Sequence, residues 1–389
     1  MSEIKIAIED VTQCPGRCDG CLLSARERSG QESSVSFEWT KLAEFVLGFH
    51  ELRGASKKLI LNFGQGDHSA LSVSELLKRA KLLNDLGRDN YEAFFTIAAA
   101  VKGDRFRSSV SRMGDIMSKY VDRIGIDLVF DPTYYDSGSF WESYSKNIEH
   151  VYSVFGRVDL NVNIGPDTVK SCTAIEFDDF VSGNSFANAT INYVPTKHTG
   201  YLLASSANEI FDWMRDLLEV RKTRRSAYGL TFNNAMRSSA VDFYGLNPTN
   251  ASKAIISSFC DQLYVDGAGD VYFTQSLIGD YPLSDRMGFD SIGNISGFDF
   301  SGLESSARGV FRGLYRSALM RPSCAGCPWM TNCIAGGQTA SVGALGEFRD
   351  REKECLTGVS RLWPIVDKSQ GASRAPEGEG RWTGSRVMW

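Results

Sequence analysis

Six strand-like stretches separated by helical ones restrict the fold of this chain more than any other feature of its sequence. In "IKIAIE", Ile4, Ile6 and Ile8 share one face, and Lys5, Ala7 and Glu9 share the other. "RIGIDLVFD" sets Ile124, Ile126, Leu128 and Phe130 against Gly125, Asp127, Val129 and Asp131. "VDLNVNIG" sets Val158, Leu160, Val162 and Ile164 against Asp159, Asn161, Asn163 and Gly165. "ATINYVP" opposes Ile191 and Tyr193 to Thr190 and Asn192, while "KLILNFG" (58–64) and "AFFTIAAA" (93–100) are more continuously apolar. Helices are expected over 38–53, 72–86, 104–119, 139–155, 168–182 and 207–221. Strand then helix, repeated, makes a parallel sheet. An open doubly wound sheet carries apolar residues on both faces, because helices cover both. Here one face is repeatedly polar. A barrel or partial barrel accounts for this, with helices outside and the polar face lining a lumen that holds a ligand. The expected fold is α/β, a partial (β/α)6 barrel of the TIM type.

Past residue 222 the rhythm is expected to stop. The basic run "RKTRR" (221–225) reads as a solvated helix end. A connecting segment, 223–256, leads to a hairpin with glycines at its turn, "QLYVDGAGDVYFTQ" (262–275), and a helix over 301–320. The expected division is a core at 1–222, the connection at 223–256, a small cysteine-rich domain at 257–363 and a disordered Gly/Ser/Pro-rich tail at 364–389.

Composition narrows the function. A net charge of −5 gives no general attraction for nucleic acid or anionic membrane. No apolar run approaches the roughly 18 residues of a spanning helix. The charged, alternating N-terminus reads as a strand and not a signal peptide, so a cytoplasmic location with reduced thiols is expected. Nine cysteines then need an explanation other than disulfides, and seven of them cluster. Cys14, Cys18 and Cys21 follow the first strand as C-x3-C-x2-C, and Cys324, Cys327, Cys333 and Cys355 lie near the end. None of the four histidines lies in either cluster, and ligation by thiolate alone favours iron–sulfur or zinc. Three thiolates on a cubane [4Fe–4S] cluster leave one iron open, whereas a zinc knuckle with three would lack one ligand.

At "CPGRCDGC" the sequence resembles the radical S-adenosylmethionine (radical SAM) superfamily, whose three-cysteine loop also follows the first strand. The resemblance implies a [4Fe–4S] cluster whose open iron is chelated by S-adenosylmethionine (SAM). It also implies reductive cleavage of the sulfonium and hydrogen abstraction by the 5′-deoxyadenosyl radical. "LNFGQGDHS" stands where that family has a "GGE"-type turn for the SAM amino group. Gly64 and Gly66 would let backbone approach, and Asp67 would supply the anion. Gln65 and the aspartate depart from the pattern, as does Gly20, where an aromatic is usual. Asn161 or Asn163 would contact the ribose, with Asp127 a further candidate, although all three read equally as solvated lumen residues.

Residues from about Cys260 to Cys355 resemble the SPASM domain of such enzymes. Cys324, Cys327, Cys333 and Cys355 correspond to its second auxiliary cluster. For the first, only Cys260 is in place, since Thr274 and Gly337 stand at cysteine positions. One auxiliary [4Fe–4S] cluster is therefore expected, with Cys260 and Cys172 as core thiols. The resemblance also implies a peptide or protein substrate, oxidised or cross-linked, and an electron donor such as flavodoxin or ferredoxin. Dehydrogenation of a small molecule is the alternative, and a non-catalytic metal-binding sensor the alternative of another class. His68, Tyr134 and Tyr135 are further candidates for substrate contact, although packing or solvation explains each as well.

Overall fold

Isoleucines at alternate positions favour extended backbone packed on one side, and the chain opens with β1 (Glu3–Val11). The computed structural model describes residues 3–11, 13–15, 18, 21, 28–29, 35–87, 91–98, 104–120, 124–131, 138–184, 186–192, 206–233, 253, 256–257, 259–273 and 291–319. After β1 come α1 (Trp39–Arg53), β2 (Lys58–Gln65), α2 (Val73–Asp85), β3 (Tyr91–Ala98), α3 (Asp104–Met117) and β4 (Ile124–Phe130). Next come α4 (Gly138–Phe155), β5 (Val158–Asn163), α5 (Pro166–Ser171), α6 (Ala174–Gly183), β6 (Asn188–Asn192), α7 (Ala207–Arg224) and β7 (Gly229–Asn233). Strands β1 to β7 pair in chain order, each parallel to the next.

Two features differ from expectation. The strand–helix rhythm runs one strand past residue 222, for β7 pairs with β6 from Asn188↔Gly229 to Asn192↔Asn233. Its sequence, GLTFN, is too short and mixed to show a period, so the free edge of β6 selects the strand. The single helix expected over 168–182 is two. Thr173 Oγ1 accepts from the Glu176 N–H at 3.2 Å, and the Glu176 carboxylate accepts from the Thr173 N–H at 2.7 Å. This capping box starts a new helix at Thr173.

The expected hairpin extends the same sheet on its other side. β8 (Gln262–Val265) lies parallel to β1, β9 (Asp270–Tyr272) is antiparallel to β8, and β10 (Gly293–Asn294) is antiparallel to β9. Asp266 Oδ1 accepts from the Ala268 and Asp270 N–H groups, both at 2.9 Å, and Gly269 takes the left-handed φ of 85° that closes this turn. α8 (Leu303–Leu319) follows. Cys324, Cys327, Cys333, Cys355, the auxiliary cluster and the tail 364–389 lie outside the described residues, as do Gly20, Thr274, Tyr134 and Tyr135.

Register sorts the side chains into two faces. Ile6, Leu61, Phe95, Ile126, Leu160 and Ile191 belong to one apolar core, joined by helix side chains such as Phe106, Val110, Met113 and Met117 of α3. The opposite face carries Asn62, Thr96, Asp127, Asp159, Asn161, Thr190 and Asn192, all buried. Pairing does not close the ring among the described residues, where β7 and β10 are the two edges. No helix among the described residues is long and apolar enough to cross a membrane.

Candidate functional site

The three thiols come together at the C-terminal ends of the strands. Cys14, Cys18 and Cys21 form one cluster with Ala98 at the end of β3 and Val129 near the end of β4. Both of these residues lie on the polar face, since Ala98 pairs with Val129 two residues beyond the Thr96↔Asp127 pair. The loop is tied across its base, where the Cys14 N–H donates to the Arg28 carbonyl at 3.2 Å. Inside it, the Cys21 N–H donates to the Cys18 carbonyl at 3.2 Å. Burial pushes the Cys18 thiol well above its ordinary range, and Asp131, Cys21 and Cys14 add to this while Arg28 opposes it. A metal would reverse that balance, because coordination holds the thiolate.

A donor set of three thiols suits a thiophilic iron–sulfur cluster, and no histidine among the described residues joins it. Among the described residues, no three His, Cys, Asp or Glu side chains converge as ligands of one ion.

Next to this loop lies the turn after β2. The Gly66 N–H donates to the Val11 carbonyl at 2.7 Å, and the Asp67 N–H donates to the Gln13 carbonyl at 2.9 Å. The residues leading into Cys14 and the turn carrying Asp67 are thus held together by backbone. Gly64 sits beside Glu9 in the sheet register. Asp67 Oδ1 accepts from the Ser69 N–H at 3.0 Å and from Ser69 Oγ at 2.7 Å. Its Oδ2 is buried without a hydrogen-bond partner. Burial, only partly offset by Ser69, the Ala98 backbone and His68, raises the Asp67 pKa to about 6. These offsets fall short of the cost of burial, and a bound cation would make up the difference.

Asn161 and Asn163 lie on the same face at the end of β5, as expected, and the structure adds Asn192 from β6. Its Nδ2 donates to Asn163 Oδ1 at 2.9 Å and also to Asn161 Oδ1. Period-two patterning put Asn192 opposite Ile191, but only strand pairing sets it beside Asn163. Asp127 lies one layer below the thiols. Both of its oxygens are buried without a partner, and burial pushes its pKa well up against the pull of Arg157.

His68 does not face the lumen. It is fully buried beside Asp10 and packs edge-on against Phe95, a residue of the apolar core. The β1–β2 register shifts between Glu9 and Val11, Asp10 there bonds Arg79 of α2, and the short 3-10 turn His68–Ala70 carries the ring to the same side. Cys260 and Cys172 are buried in the main core, with the Cys260 thiol pushed up to about 11 chiefly by burial.

No protein-family model matches the sequence, and no curated protein matches it significantly. The fold is similar to that of Streptococcus suis SuiB bound to S-adenosylmethionine, with a TM-score of 0.52 and 14% identity over 85% of this chain and 71% of that one. It is also similar to native anSMEcpe with bound AdoMet and the Cp18Cys peptide, with a TM-score of 0.57 and 12% identity over 95% of this chain and all of that one. The same protein with AdoMet and the Kp18Cys peptide gives 0.54 and 12% over the same shares. At these identities the likeness is one of fold.

Proposed function

We propose that this chain is a radical SAM enzyme, a partial barrel whose mouth holds S-adenosylmethionine and whose substrate is a peptide or protein. The observation that carries this reading is the gathering of three thiols beside an unsatisfied, buried Asp67 at the C-terminal ends of a parallel sheet. Ligand sites of such sheets lie at that end. Proteins of this fold have been solved with S-adenosylmethionine and with peptides bound.

In this reading Cys14, Cys18 and Cys21 hold a [4Fe–4S] cluster. When bound, the cluster and S-adenosylmethionine together supply one-electron cleavage of the sulfonium and hydrogen abstraction from substrate. Asp67 accepts the ammonium group of S-adenosylmethionine, with the Gly64 and Gly66 backbone allowing close approach. The ammonium restores the ionised form that burial disfavours in the empty turn. Asn161 and Asn163, oriented by Asn192, contact the ribose. Burial of the polar face excludes water from the reacting atoms. Cys324, Cys327, Cys333 and Cys355 hold one auxiliary cluster, and a flavodoxin- or ferredoxin-like donor supplies the electron.

The test is anaerobic reconstitution with iron and sulfide, followed by dithionite and S-adenosylmethionine. Formation of 5′-deoxyadenosine is the expected result. Iron-loaded protein that yields none would leave a metal-binding, non-catalytic chain.

A further inference from the structure

Behind the mouth, on the helix-covered face, lies a charged network that the proposed chemistry does not use. Asp10, His68 and Arg79 are each fully buried. Asp10 Oδ1 lies 3.0 Å from His68 Nε2, and Asp10 Oδ2 accepts from Arg79 Nε at 2.6 Å. His68 Nδ1 lies 3.0 Å from the Thr96 carbonyl oxygen. Arg79 comes from α2, lies over the Trp39 ring at 4.7 Å and donates to Glu75 Oε2 at 3.0 Å.

Both partners of the ring are oxygens. A carbonyl oxygen only accepts. Asp10 is held below the usual carboxylate range, because Arg79 and His68 together outweigh its burial, so it too only accepts. Each ring nitrogen of His68 therefore faces an oxygen that accepts. His68 is bonded to the end of β1, from which the cysteine loop departs, and to β3, whose end supports the thiols. It also follows Asp67 directly in the chain. Buried ion networks rarely add net stability over an apolar core of the same shape, so one joining two parts of a candidate site calls for another role.

We propose that His68 is a positioning residue. Held between Asp10 and the Thr96 carbonyl, it fixes the turn against the root of the cysteine loop and keeps the neighbouring Asp67 carboxylate anionic. This rests on the reading of Asp67 as the contact for the ammonium group of S-adenosylmethionine. The charged groups around the ring are Asp10 from β1, Asp67 on its own turn, Arg79 and Glu75 from α2, and Arg112 from α3, which donates to the Leu71 carbonyl at 3.0 Å. Burial raises Asp67 to about 6 even with His68 opposing it, so loss of the His68 ring raises it further.

The first experiment follows the Asp67 carboxyl by carbon NMR in metal-free protein, for the wild type, His68→Gln and a distant control, His150→Gln. The midpoint is expected to rise by about one pH unit in His68→Gln and to stay in place in the control. An unmoved midpoint overturns the proposal, whatever the protein does with iron.

The second experiment measures S-adenosylmethionine binding to iron-reconstituted protein by equilibrium dialysis. His68→Gln should weaken binding roughly fivefold near pH 6 and little near pH 8, where Asp67 is ionised in both proteins. Equal weakening at every pH would mark His68 as merely structural. A midpoint that moves in a wild-type background unable to bind S-adenosylmethionine would sink the proposed function and leave the coupling standing. His68→Asn is the second variant, and if neither variant folds the positioning role is overturned.

Discussion

The two ends of the parallel sheet treat their charges in opposite ways. At the N-terminal ends, Glu92 lies between Lys58 at 2.7 Å and Arg157 at 3.0 Å. Asp261 lies between Arg53 at 2.7 Å and Lys57 at 3.2 Å. Phe94 fills the space over Gly125, where a Cβ would stand 2.0 Å from the ring, and Arg157 covers that ring at 5.1 Å. At the C-terminal ends, three thiols share one patch and Asp67 keeps an oxygen without a partner. Burial acts on Glu92 and Asp67 in the same direction. For Glu92 the two cations more than offset it and the pKa falls, whereas for Asp67 nothing does and the pKa rises. One end balances its carboxylates with the chain's own cations and serves stability. The other has binding capacity that only a ligand can use.

The largest expected effect breaks the mouth alone. Cys18→Ala should abolish both iron retention by this loop and 5′-deoxyadenosine formation, while Cys260→Ala, a change in the core, should leave both in place. Iron content and product, measured on the same anaerobic samples, check this. Cys333→Ala should retain some uncoupled cleavage, which separates the two cysteine clusters.

Asp67→Asn comes next and should move function and stability in opposite directions. Affinity for S-adenosylmethionine falls roughly ten- to hundredfold, the worth of a charge-assisted hydrogen bond. Stability without ligand rises at neutral pH by up to about 3 kcal/mol, because a folded pKa of about 6 against 3.8 makes ionisation unfavourable in the fold. The sign follows from the raised pKa. The wild type holds its proton more tightly when folded, so this carboxyl costs stability as pH rises from about 4 to about 6. Chemical denaturation across that range, with and without S-adenosylmethionine, reads both effects. A variant that lost stability at neutral pH would place Asp67 with the charge-balanced end.

How much of this was legible in the sequence depended on whether a signal was local. Four of the six strands and the polar face followed from period two, because Asp127, Asn161 and Asn163 alternate with Leu128, Leu160 and Val162 within single segments, and the other two followed from short apolar runs. The three-cysteine loop was equally local. β7 was not, since its five residues become a strand only against β6. Asn192 required the β5–β6 register, and Asp10 and Arg79 meet across 69 positions of sequence. His68 was read as either a substrate contact or a packed residue, and the structure packs it. A histidine after a glycine-rich turn looks like a lumen residue until the 3-10 turn rotates it towards Asp10.

Glu92→Gln should weaken the other end without touching the mouth. The expected loss is about 1–2 kcal/mol, less than for a fully buried pair because solvent screens the Lys58 and Arg157 side chains, 33% and 42% exposed. Because the Glu92 pKa is depressed, its contribution is present above the unfolded value and is lost as pH falls through the folded one. Urea midpoints near pH 7 and near pH 4 check this, with S-adenosylmethionine affinity as the unchanged control.

Asp127 carries the smallest expected effect and shows where the boundary between the two ends runs. It stands two residues before Val129 on β4, roughly 7 Å below the thiol patch. Its two oxygens have no partner, and Arg157, the cation that acts on it, already serves Glu92. If Asp127 belongs with the mouth, burial makes its ionised form unfavourable, and Asp127→Asn should be neutral or stabilising by about 1 kcal/mol near pH 7. The wild type should then lose ground to the variant as pH rises from about 4, because only the wild type must ionise inside the fold. A wild type that gained on the variant over that range would mean that Arg157 holds the charge. The charge-balanced end would then extend one layer further towards the thiols.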